Sequence, residues 1–158
     1  MHPEIARLLE QAEQRYLQTN ELELFRRYAV SLARRMEAYE ILRDKEEQIF
    51  QPVADRLVAA FPNERQDLLE RSLKHWLLIS RYCGTAMLLS DPDFLALRLK
   101  DWMTGFVQTH QTQTIERTLY DLLLQGVKAE LSDKHFPLIQ PLFEKAKALL
   151  LEEETQPQ

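Results

Sequence analysis

The chain has 158 residues, of which 45% are hydrophobic, with a formal net charge of −5, three glycines and a single cysteine. That excludes an intramolecular disulfide framework, and the acidic balance argues against non-specific nucleic-acid binding, which rests on basic surface. No apolar run approaches the ~20 residues that span a bilayer, and Met1-His2-Pro3-Glu4 lacks the basic start of a secretory signal. Membrane insertion is therefore not expected, and a reducing cytoplasm is.

Polar positions are dominated by Glu, Gln, Arg and Lys, and no β-branched runs lie between turn signals, so the fold class is all-α. In chain order, the first helix starts after Pro3, with Ile5, Leu8, Leu9, Ala12 and Tyr16 as its apolar face. Thr19 or Asn20 caps a second, whose pattern runs from Leu22 to Leu42, long enough for a bend or two helices end to end. Pro52 is expected to break the next segment, followed by a short helix over Val53–Phe61 that Pro62 ends. Leu68 to Leu89 is the most apolar segment and the expected centre of the fold. Ser90-Asp91-Pro92-Asp93 reads as a turn and N-cap for a helix from Phe94 to about Thr109. A polar connection over 109–114, a helix from Ile115 to Leu131 and a last helix opened by Ser132-Asp133 complete about eight helices, with a flexible tail at 152–158.

These segments carry a resemblance. Gln11-Ala12-Glu13-Gln14-Arg15-Tyr16-Leu17, Arg34-Arg35-Met36-Glu37, Leu57-Val58-Ala59-Ala60-Phe61-Pro62, Leu88-Leu89-Ser90-Asp91 and Phe143-Glu144-Lys145-Ala146 resemble, in order and spacing, the phycobiliprotein family of phycobilisome subunits. The likeness covers about Ile5 to Leu150. It implies one globin-like domain over 1–151, with residues 1–32 as an N-terminal helical hairpin for dimerisation and 33–151 as the globin core.

The family's chromophore motif is Cys-x-Arg-Asp, nine residues before an arginine often followed by tyrosine. Arg81-Tyr82 fit that landmark, which puts Ser72 at the cysteine, Lys74 at the arginine and His75 at the aspartate. A hydroxyl is not the thiol that a thioether needs. Lys74 keeps a cation for a bilin propionate without the bidentate fork, and neutral His75 can accept only one pyrrole N–H. Trp76, Tyr82, Trp102 and Phe106 either line a pocket or belong to the core. Cys83 lies eleven residues after Ser72, about 16 Å along the helix, and is either a relocated attachment site or a buried thiol. Haem ligation by His110 or His135 rests on the shared fold alone, and the histidines are too scattered for a zinc site.

The resemblance also implies an interface in which Glu13 of the first helix pairs across subunits with Arg81, with Arg15 beside it. A homodimer or a heterodimer would serve. Two functions follow: a protein that holds a phycocyanobilin-type bilin non-covalently, in bilin biosynthesis, delivery or phycobilisome turnover, or a non-pigmented interaction protein that docks to phycobilisome components. A role at the cytoplasmic face of the thylakoid fits both. No nucleophile, phosphate-loop or metal motif points to an enzyme, and no residue argues for a bilin lyase or detachment activity.

Overall fold

Pro3 starts α1 (Pro3–Ala12), where its missing N–H is no loss, and His2 Nδ1 accepts from the Glu4 N–H at 3.3 Å. The structure, a computed structural model, describes residues 2–100 and 110–151. Only Ile5 and Leu8 of the expected apolar face are buried; Leu9 is exposed, and Tyr16 lies beyond the helix end, 98% exposed. The chain turns at residues 13–18, where Arg15 donates to both oxygens of Glu21 at 2.7 and 3.3 Å. Glu21 also accepts from the Gln18 N–H at 3.0 Å, so the cap of α2 falls at Gln18 rather than at Thr19 or Asn20.

Helix α2 (Thr19–Asp44) is a single 26-residue helix that crosses residue 32 without a break. The bend or break expected within Leu22–Leu42 is absent, and the chain turns only at Lys45 (φ −104°), from which α3 (Glu46–Ala60) departs at once. Pro52 does not break α3. A mid-helix proline costs ~3 kcal/mol, but the helix buries Ile49, Val53 and Leu57 to 2% exposure or less, and Gly126 lets it approach α6 closely. That burial outweighs the lost hydrogen bond.

Helix α4 (Gln66–Leu89) is central, packing against α2, α3 and the helices that follow. Ser90 ends it in the left-handed region (φ 50°), and the Asp91 side chain then accepts from the Asp93 and Phe94 N–H groups to cap α5 (Pro92–Leu99) as expected. The predicted continuation of that helix to Thr109, with Trp102 and Phe106, lies outside the described residues, as does the tail at 152–158.

The expected polar connection over residues 110–114 is instead the first turn of α6 (His110–Glu130), since Gln and Thr are tolerated in a helix whose later turns are anchored by Ile115, Leu119 and Leu123. The last helix, α7 (Phe136–Leu151), begins four residues later than Ser132. The Ser132 carbonyl accepts from both His135 and Phe136 N–H groups at 2.9 Å, closing a tight turn first. Arg117 donates to the Leu151 carbonyl at 2.7 Å and satisfies the end of α7. Seven helices are therefore present among the described residues, against the eight expected, because the break predicted at Pro52 does not occur. All seven are α-helices, and none is long and apolar enough to cross a membrane.

Candidate functional site

The residues singled out on α4 divide by helical phase. Leu69, Ser72, Trp76, Ile79, Cys83 and Ala86 recur at three- and four-residue spacing and form its buried stripe. Lys74 and Arg81 stand off that stripe and are exposed; His75 and Tyr82 are half-buried. Ser72, the position expected from the resemblance to match the attachment cysteine, therefore points inward.

There Ser72, 3% exposed, donates its hydroxyl to Glu116 Oε1 of α6 at 2.7 Å. The indole N–H of Trp76, a residue with no exposed surface, donates to the other oxygen, Glu116 Oε2. The ring meets Tyr120 edge-on, with centroids 5.6 Å apart. Glu116 is 2% exposed, and burial raises its pKa against the lowering effect of the Ser72 and Trp76 hydrogen bonds and of nearby Arg71. A carboxyl with a raised folded-state pKa binds its proton more tightly in the native protein, so stability is greatest below the unfolded carboxyl pKa and falls as pH rises through the folded one. Glu116→Gln preserves the geometry: its oxygen accepts from Trp76, and its amide donates to Ser72. We expect the variant to lose that decline, so its stability relative to wild type improves from pH 4.5 to pH 8 in urea unfolding. Parallel pH profiles for the two proteins would refute a buried titrating carboxyl.

The residues do not fit a covalent bilin. Ser72 has no thiol, and its hydroxyl is committed to Glu116. Cys83 is completely buried, and burial pushes its thiol pKa well above the usual range, which removes the thiolate an attachment reaction needs. The structure places it among core residues. Lys74 is exposed; His75, half-buried, has its pKa lowered by burial and then by Arg71.

The proposed interface residues do not cluster within the chain. Glu13 is the C-cap of α1, Arg15 is held by Glu21 at the α1–α2 turn, and Arg81 makes a bidentate pair with Glu46 of α3 at 2.8 and 3.1 Å. His135 bonds Glu37 at 2.9 Å and Ser132 at 3.4 Å, tying the start of α7 to α2. Among the described residues no group of three or more His, Cys, Asp or Glu side chains is placed to hold a metal ion.

One feature escaped the sequence reading. Glu116 occupies the same apolar stripe of α6 as Leu119 and Leu123, a carboxylate at a core position that the periodicity could have flagged. Outward-facing apolar groups also run along α2: Leu22, Phe25, Ala29 and Met36 are exposed, and Leu32 between them is half-buried. Their three- and four-residue spacing makes one stripe, most of it within the N-terminal hairpin expected to dimerise.

No curated protein matches the chain. A family model described as "Phycobilisome protein" matches residues 10–149, most of its length and all seven helices in whole or part. With that match and the all-helical architecture of the described residues, the chain is a member of the phycobilisome protein family.

Proposed function

We propose that this phycobiliprotein-related chain acts as a non-pigmented interaction subunit, not as an enzyme, and docks to another helical subunit of the phycobilisome through the outward face of α2. The observation that carries the reading is the α2 stripe, where Leu22 (47%), Phe25 (37%) and Met36 (50%) are exposed at the spacing of a helix-packing seam. Fully burying such a side chain stabilises a complex by about 1.5–3 kcal/mol each, against an exposed starting point. Aromatic and methionine side chains are also the types enriched at interface centres. Both a second copy and a related subunit present the helical surface such a seam needs. Sedimentation velocity of the chain, alone and titrated with dissociated phycobilisome subunits, tests this. A saturable heavier boundary is expected, and a chain that stays monomeric throughout would overturn it. Under this reading the protein works with phycobilisomes at the cytoplasmic face of the thylakoid.

A second reading is non-covalent binding of a phycocyanobilin-type bilin. Lys74 and Arg71 lie three residues apart on an exposed side of α4, where two cations can meet propionates. An absorption titration with phycocyanobilin decides it: saturable sharpening and a red shift support binding, and an unchanged free-bilin spectrum rejects it.

A further inference from the structure

Between α2, α3 and α4 the fold leaves a pocket of about 280 Å³ that neither the docking reading nor the bilin reading uses. Its inner walls are apolar: Leu42 of α2, Ile49 and Phe50 of α3, and, from the core beneath, Val127 of α6 and Phe143 of α7. Ile49, Val127 and Phe143 are 2% exposed or less, so the inner end reaches the centre of the protein. The α4 wall is made of small residues, Ser80 and Gly84, one helical turn apart. A β-carbon at Gly84 would lie 3.4 Å from the Tyr39 ring, so a larger residue there would push into the α2 wall.

The rim has the opposite character. Arg43 and Arg81 both line it with exposed guanidinium groups, Arg81 paired with Glu46 of the rim and Arg43 with neighbouring Asp44 at 2.8 Å. Each cation already holds one carboxylate, so a ligand head would have to share the guanidinium with it or displace it. Glu46 already lays a carboxylate against Arg81 with bidentate geometry, which shows that the guanidinium is presented in the orientation a carboxylate head requires.

We propose that this pocket binds a medium-chain monocarboxylate, with its alkyl chain among Leu42, Ile49, Phe50, Val127 and Phe143 and its head at Arg81 and Arg43. Size selects the chain length: 280 Å³ is about nine volumes of ~30 Å³, the share of one water in the liquid, which matches a chain of about eight carbons. The apolar walls supply the affinity through burial of methylenes, at about 0.8 kcal/mol each. The arginines supply the sign, and Glu46 competes with the ligand for Arg81. No bond forms or breaks, and the site is independent of the α2 face that carries the docking proposal.

The probe is octanoate, with octanamide as the uncharged analogue of the same length, titrated into the full-length protein by calorimetry. Saturable one-to-one binding of octanoate is expected, weaker by about fivefold in Arg81→Met, the scale of an exposed ion pair. Glu46→Gln removes the competing carboxylate and is expected to tighten octanoate binding. Ser80→Leu fills the pocket from the α4 wall and is expected to abolish it; the Ser80 hydroxyl bonds only to the Trp76 carbonyl of its own helix, so the variant keeps the tertiary hydrogen bonds. Unfolding midpoints measured beside each titration establish that the variants are folded. The proposal is overturned by absence of saturable octanoate binding to the wild-type protein, by equal affinity for octanamide, or by binding that survives in a folded Ser80→Leu protein.

Discussion

Trp76→Ala is expected to be the most destabilising single substitution on α4, at about 3–5 kcal/mol, the range for deleting a buried tryptophan or phenylalanine side chain. Three losses combine there. The indole leaves a cavity in the middle of the core, since Trp76 has no exposed surface. Its edge contact with Tyr120 disappears, worth about 0.5–1.5 kcal/mol. Glu116 Oε2 loses the indole donor in a site only 2% exposed, a desolvation cost of about 1–3 kcal/mol for an unpaired buried acceptor. These contributions overlap and do not simply add. Trp76→Phe separates them, because it keeps most of the ring and removes the N–H; we expect it to retain about half the lost stability. Urea unfolding of the two variants checks the account. A Trp76→Ala protein within ~1 kcal/mol of wild type would mean that this stripe is not the core.

Arg35→Met is expected to cost about 2–3 kcal/mol, on the scale of a charged hydrogen bond together with a helix-end charge in a partly buried site. Arg35 is 4% exposed, yet its guanidinium donates to the Met87 carbonyl at 3.3 Å and to the Leu88 carbonyl. Those groups belong to the last turn of α4, where the dipole is negative; the Met87 carbonyl also accepts from the Ser90 N–H at 3.1 Å. The Nε also donates to the Ser31 carbonyl at 3.3 Å, and the group lies 5.4 Å from the centre of the Tyr28 ring. One side chain thus fastens α2 to the end of α4. Methionine retains the apolar stem but leaves the carbonyls without that donor, and relief of the guanidinium's own desolvation offsets only part of the loss. Arg35→Lys keeps the charge without the fork and is expected to fall between the two. Thermal unfolding should rank wild type above Arg35→Lys above Arg35→Met. A methionine variant as stable as wild type would contradict this fastening role.

The helical class, the centrality of Leu68–Leu89 and the Asp91 cap were legible because each is a local matter of periodicity or capping chemistry. The register from Arg81-Tyr82 back to Ser72 singled out a position on α4, but the sequence could not say which way Ser72 points. That depended on Glu116, forty-four residues away, whose place in an apolar stripe is meaningful only once α4 and α6 are packed. The fate of Pro52 was hidden for a related reason: local propensity disfavours it, and the burial of Ile49, Val53 and Leu57 against α6 overrides propensity. On α2 the spacing alone could not sort the apolar residues, because exposed and buried apolar faces have the same spacing. Only the full fold shows that Arg35 and Ala38 face the core while Phe25 and Met36 do not. Arg81 was visible as a landmark, whereas its pairing with Glu46 required the turn at Lys45.

The most direct test of the docking account is the affinity of the Phe25→Asp/Met36→Asp double variant for dissociated phycobilisome subunits, measured by sedimentation beside the wild-type chain and without added bilin. Both side chains are exposed in the free protein, so the unfolding midpoint should stay close to wild type, within the ~0.5 kcal/mol usual for surface substitutions. Two carboxylates in an apolar seam must be desolvated on association, and the account predicts that binding weakens by about tenfold or more. A stably folded double variant that binds these subunits as tightly as the wild-type chain would contradict it.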